Sequence, residues 1–144
     1  MNRKEFLQNL SLEELNLVDG ITHQDILNER RRREQELIDT NKFKVGDCFK
    51  EIRDGDIFIF KITEIYPDSD NIRDWFVCTE LQVFTDGDFE MYDDMEYCYN
   101  DMVEWVPISN ELFDKLKVLY NECVKAINAI NTGFYEEICK QLTT

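Results

Sequence analysis

The residues best placed to do chemistry lie in one run, Asp86 to Trp105, DGDFEMYDDMEYCYNDMVEW, which carries eight carboxylates and no lysine or arginine. Read with the two-residue alternation of a β-strand, Asp88, Glu90, Tyr92, Asp94 and Glu96 fall on one face. Phe89, Met91, Met95, Tyr97 and Tyr99 fall on the other. Only Asp93 breaks the alternation, as a β-bulge would. Residues two apart on a strand stand about 6.6–6.8 Å apart, so the carboxylates form a ladder, which Asp86, Asp101 and Glu104 extend. Such a ladder has three uses. It can be a solvated face that keeps an edge strand from pairing. It can occupy lysine and arginine sites that otherwise take phosphates, and so dock on a basic protein surface. It can hold a hard cation through oxygen ligands. Neither DGDFEMYDDMEY nor DSDNIRDWFVCT has glycine at position six with glutamate at twelve, so no EF-hand calcium loop is expected.

A second arrangement concerns catalysis. Pro67-Asp68 upstream of Glu80-x-Gln82 resembles the PD-(D/E)xK nuclease motif with glutamine in place of the lysine. The resemblance implies that Asp68 and Glu80 would hold magnesium, whereas the lysine that polarises the attacking water is missing. Asp68 is expected in a loop, and no helix–strand core surrounds the hairpin. No glycine-rich phosphate loop and no G-x-S-x-G elbow occurs. The single histidine, His23, sits in the first turn of an expected helix, where the helix dipole disfavours its protonation, and it reads as a surface residue. The five cysteines, Cys48, Cys78, Cys98, Cys123 and Cys139, form no CxxC pair and read as buried, reduced thiols. The expectation is therefore a non-catalytic protein with no cofactor and no metal.

Charge is uneven along the chain. Residues 1–44 hold 8 basic and 9 acidic side chains, residues 45–110 hold 4 and 17, and residues 111–144 hold 4 and 5, so nearly all of the −15 belongs to the middle section. Phosphates would be repelled there, which disfavours direct nucleic-acid binding and favours a basic protein partner. The one basic cluster is Arg30, Arg31, Arg32 and Arg33. Four consecutive residues wrap around a helix instead of lining one face. Glu29, Glu34 and Glu36 flank them at spacings that permit i,i+4 pairs. The run can also pair with the acidic strand, clamping the arm within one chain or joining chains head to tail as a homo-oligomer.

The elements that must position these residues give an α+β fold. Residues 1–41 read as a helical arm, 42–108 as a five-stranded antiparallel small barrel or curved sheet, and 109–144 as a long helix packing on that sheet. Ser11 with Glu14 makes a capping box before LEELNLVDG, which Gly20 closes, and Thr22 with Asp25 caps the next helix. That helix is apolar only near its ends, at Ile26, Leu27, Leu37 and Ile38. From Lys42 the period changes to two. Asp54-Gly55 joins KFKVGDCFKEIR to DIFIFKITEIY, Asp86-Gly87 joins DWFVCTELQVFT to DFEMYDDMEYCY, and both dipeptides suit type I′ hairpin turns. MVEWVPI supplies a fifth strand, and Ser109 caps a helix with apolar Leu112, Phe113, Leu116, Leu119, Tyr120, Cys123, Ile127, Ile130 and Phe134, interrupted at Gly133. No run of about 18 apolar residues occurs and no secretory signal is evident, so a cytoplasmic protein is expected.

The layout FKVGDCFK, DIFIFKITEI, FVCTELQVF and WVPISNELFDKLKVLY resembles small β-barrel-plus-helix proteins of bacteriophages and mobile elements. Their S-x-E-x-F helix start corresponds to Ser109, Glu111 and Phe113. The resemblance covers about residues 43–120 and leaves out the arm. It implies a fold type and a viral origin, and it carries over no functional residue. Phage inhibitors of host nucleic-acid machinery are often small and acidic, which is similar to the docking reading of the ladder.

Overall fold

The computed structural model describes residues 3–40, 42–67, 74–125 and 134–143. The fold is α+β, with a five-stranded antiparallel sheet in the order β4-β3-β2-β1-β5. The sheet is open, so of the two expected forms the closed barrel is not the one adopted, and β4 and β5 are its edges. The strands are β1 (Cys48–Arg53), β2 (Asp56–Pro67), β3 (Asp74–Val83), β4 (Phe89–Tyr97) and β5 (Val106–Ile108). The helices are α1 (Arg3–Gln8), α2 (Leu12–Leu15), α3 (His23–Thr40), α4 (Asn110–Lys125) and α5 (Phe134–Thr143). Among the described residues no helix is long and apolar enough to cross a membrane. The chain forms two compact units. One comprises Met1–Lys42, Pro67–Trp75 and Tyr97–Glu104; the other comprises Phe43–Tyr66, Phe76–Glu96 and Trp105–Thr144.

In the first unit the local signals act as capping chemistry predicts. The Glu14 amide donates to Ser11 Oγ (3.0 Å) and the Ser11 amide to Glu14 Oε1 (3.0 Å), so two otherwise orphaned donors are satisfied. The same reciprocal pair links Thr22 and Asp25 ahead of α3. The expected helix up to Gly20 is shorter than its sequence suggests. It ends at Leu15, and Asn16, Leu17 and Val18 continue in i→i−3 turns until Gly20, at φ +83°, turns the chain. Leu12 and Leu15 are buried while Leu17 is exposed, so packing holds only the first turn as α-helix.

In the second unit Asp54 (φ +51°) and Gly55 (φ +86°) close β1 onto β2 as a two-residue loop, with Arg53 opposite Asp56. Both residues have positive φ, as a type I′ turn requires. The second Asp-Gly does something different. Only Gly87 has positive φ (+96°), the Phe84 amide donates to Asp88 O (2.8 Å), and the Gly87 amide donates to Phe84 O (3.0 Å). This is a three-residue loop closed by a glycine bulge, not a type I′ turn. Of the expected fifth strand only Val106–Ile108 is extended, and Tyr99–Met102 forms a 3-10 turn.

The helix-side core joins Cys48, Ile57, Ile59, Leu81 and Val83 of the sheet to Phe113 and Leu116 of α4 and Ile138 of α5. Leu112, Leu119, Tyr120 and Cys123 pack at its margin, as their spacing predicts, and Ser109 Oγ accepts the Leu112 amide (3.1 Å) at the helix start. Ile127, Ile130 and Gly133 lie outside the described residues. On the other sheet face Phe60 stacks on Trp105 at 3.9 Å, and Phe43 meets Phe49 and Phe76 edge-on.

Candidate functional site

β4 is an edge strand whose outward side chains are acidic. Phe89 and Met91 pack against the helix-side core, whereas Glu90 and Tyr92 are exposed. The alternation breaks where the sequence breaks it, for Tyr92, Asp93 and Asp94 are exposed in succession and Asp94 has φ +59°. A non-glycine residue in that region is uncommon, and here it coincides with the break in the alternation. The Asp93 carboxylate accepts from Thr79 Oγ1 (3.1 Å) across to β3. Together with the loop bonds between Phe84 and Asp88, that contact sets Glu90 beside Gln82 and Tyr92 beside Glu80. The ladder is thus two short runs, Asp86 to Tyr92 and Asp94 to Glu96, joined by a kink that turns the edge.

The ladder residues bond mostly to one another. Asp86 accepts the Asp88 amide (2.9 Å), and the Tyr92 hydroxyl donates to Glu90. That hydrogen bond, then burial, then the charges of Glu90 and Glu80 push Tyr92 up, so the phenol keeps its proton and stays a donor. Among the described residues, Asp86, Asp88, Glu90, Asp94 and Glu96 make no ion pair. Two further candidates differ. Asp101 accepts the Cys98 amide (2.9 Å) and thiol (3.3 Å), so it caps the 3-10 turn. Glu104 is only 24% exposed, and it accepts the Leu12 amide (2.6 Å) with Arg33 at 3.9 Å. It is committed to the first unit and does not extend the ladder.

The arginine run is also largely committed. Arg30 donates to the Asn100 side chain (3.3 Å) and carbonyl (3.0 Å). Arg32 pairs with Glu29 (2.8 Å) and Glu36 (3.0 Å) along the helix. Arg33, 14% exposed, pairs with Glu29 (2.8 Å) and donates to the carbonyls of Gln8 (3.3 Å) and Leu10. Burial pushes Glu29 up, but bonds and charge from Arg32 and Arg33 outweigh it and hold the carboxyl below its ordinary range. Arg31 is exposed and, among the described residues, without a partner. The charged middle of α3 therefore faces a polar neighbour. Its buried Glu34 accepts from Asn100 Nδ2 (3.0 Å), and no signal in the sequence pointed to Asn100 as the hub.

Glu80 and Gln82 share a face, as read from the sequence, and the Gln82 amide donates to the buried Glu80 carboxylate. Asp68 lies outside the described residues. His23 is exposed at the start of α3. All five cysteines are free thiols, and burial pushes Cys48 up to about 11 and Cys78 up to about 12, which keeps both protonated and poorly nucleophilic. Compared with known proteins, the chain matches no family model, no curated protein and no solved structure.

Proposed function

We propose that this protein is a non-catalytic binding protein whose β4 face docks on a basic surface of a protein partner, in the cytoplasm. The observation that carries the reading is the row of exposed carboxylates on an open sheet edge, none of which pairs with a cation among the described residues. The chain has 16 lysines and arginines, and of the α3 arginines Arg32 and Arg33 are placed against acids elsewhere. Asp88, Glu90, Asp94 and Glu96 are the contacts, with Asp86 and Tyr92 beside them. Spaced carboxylates suit a surface built to hold phosphates, so the preferred partner handles nucleic acid and loses access to it when bound. The resemblance to bacteriophage proteins suits an inhibitor of that kind.

Affinity capture tests this, with the wild type beside an Asp88→Asn, Glu90→Gln, Asp94→Asn, Glu96→Gln variant. The expected result is a basic nucleic-acid-handling protein retained by the wild type and lost by the variant. Equal retention by both, or retention of nothing, rejects the docking face.

A further inference from the structure

The hairpin end of the sheet, on the face opposite α4 and α5, already holds one guanidinium. The register sets Glu51 opposite Phe58, and Phe58 meets Phe84 edge-on at 6.3 Å, while the loop bonds set Asp88 beside Phe84. Two half-buried rings thus lie in a row between two carboxylates. They lie on the sheet face opposite the helices, because Ile57 and Ile59, which alternate with Phe58, pack under the helices. Arg53, 57% exposed, lies over this row, with its guanidinium carbon 4.1 Å from the Phe58 ring centre and Nε 3.1 Å from Glu51 Oε1. The chain's own arginine shows what the row accepts: a flat cation resting on a ring with a carboxylate at its edge.

We propose that this row is the part of the docking face that recognises an arginine-bearing segment of the partner, and that Arg53 is the group such an arginine displaces. The inference rests on the docking reading above and narrows it. Charge alone draws lysine and arginine alike, whereas a ring flanked by carboxylates favours the planar guanidinium, which stacks and bonds at once. Charge complementarity sets the occupant's sign, since Asp86, Asp88 and Glu90 adjoin the row and, among the described residues, pair with no cation. Arg53 is then a built-in competitor, and removing it frees the ring.

The test uses the full chain and two labelled peptides of equal length, one of alternating glycine and arginine and one of alternating glycine and lysine, with binding read by fluorescence anisotropy. The wild type is expected to bind the arginine peptide about three- to fivefold more tightly. Arg53→Ala should tighten the arginine peptide by about two- to threefold, Phe84→Leu should level the two peptides, and Phe84→Tyr, which keeps a ring, should preserve the preference. Equal binding of both peptides by the wild type, or weaker arginine binding by Arg53→Ala, overturns the arginine row. If the variant neutralised at residues 88, 90, 94 and 96 loses both peptides in that case, docking by charge stands without it. If the wild type binds neither peptide, the docking reading falls and the arginine row falls with it.

Discussion

The arm and the β4 edge use similar charged side chains in opposite ways. In the arm, α3 turns Glu29, Arg30, Arg33 and Glu34 inward, and each is bonded within its own unit. On and just before β4 the carboxylates Asp88, Glu90, Asp94 and Glu96 are exposed and, among the described residues, pair with no cation. The first arrangement fixes structure, because a half-buried guanidinium bonded to two carbonyls and a carboxylate is costly to strand. The second carries a standing repulsion that folding does not need. Charge that is paired inside the chain stabilises the fold, and charge left unpaired on an edge is available for binding.

The largest expected effect lies in the arm. Arg33→Ala should destabilise the first unit by about 2–4 kcal/mol, since it leaves Glu29 and the Gln8 and Leu10 carbonyls short of their donor. Chemical denaturation followed by far-ultraviolet circular dichroism measures it, and a cost below about 0.5 kcal/mol would break the contrast between the two regions. Alkali should act next, through the thiol cores and not the ladder. The folded-state values of Cys48 and Cys78, about 11 and about 12, lie above the ordinary thiol value of 9.0, and Tyr99 is pushed up to about 12 from 10.0, first by burial and then by Asp74. These groups keep their protons in the fold and lose them in the unfolded chain. Their stabilisation is therefore complete below about pH 9 and is lost as pH rises toward 11–12. Urea midpoints should fall between pH 8.5 and 10.5 and change less in Cys78→Ala.

A smaller effect is expected at the first hairpin. Gly55→Ala should cost about 1–2 kcal/mol, because the residue sits at φ +86° and a Cβ would stand 3.0 Å from Thr85 Cγ2. Thermal melting is sufficient to read it. The smallest effect belongs to β4. Neutralising residues 88, 90, 94 and 96 together should raise stability by about 0.5 kcal/mol or less at low salt, with the gain vanishing in high salt. A clear loss of stability in that variant would mean that the ladder holds structure after all.

How much of this was legible depends on how local the deciding interaction is. The capping box at Ser11, the turn at Asp54-Gly55 and the break at Asp93 are settled within a few residues, and each was readable from the sequence. Asp86-Gly87 was not, although it is the same dipeptide. The Asp86 carboxylate takes the Asp88 amide, and only the glycine enters the left-handed region, so the flanking residues choose a longer loop. Tyr97, Cys98 and Tyr99 extend an aromatic alternation that looked like strand, yet the Asp101 carboxylate bonding the Cys98 amide turns the chain into a 3-10 helix. The destination of Glu104 was out of reach, since its partner amide at Leu12 lies 92 positions away. Asn100, which joins Arg30 and Glu34 across 70 and 66 positions, was equally hidden. In the candidate site, the acidity and outward alternation of β4 came from sequence periodicity. Its status as an unpaired edge came from sheet order, which no local pattern encodes.

The most direct measurement titrates the captured partner against the wild type and the four-residue neutralised variant at low and moderate salt. The variant is expected to lose at least about tenfold in affinity, and wild-type binding to weaken as salt rises. Equal affinity of the two proteins at both salt concentrations would contradict docking by this face, and the acidic edge would then serve only to keep β4 from pairing.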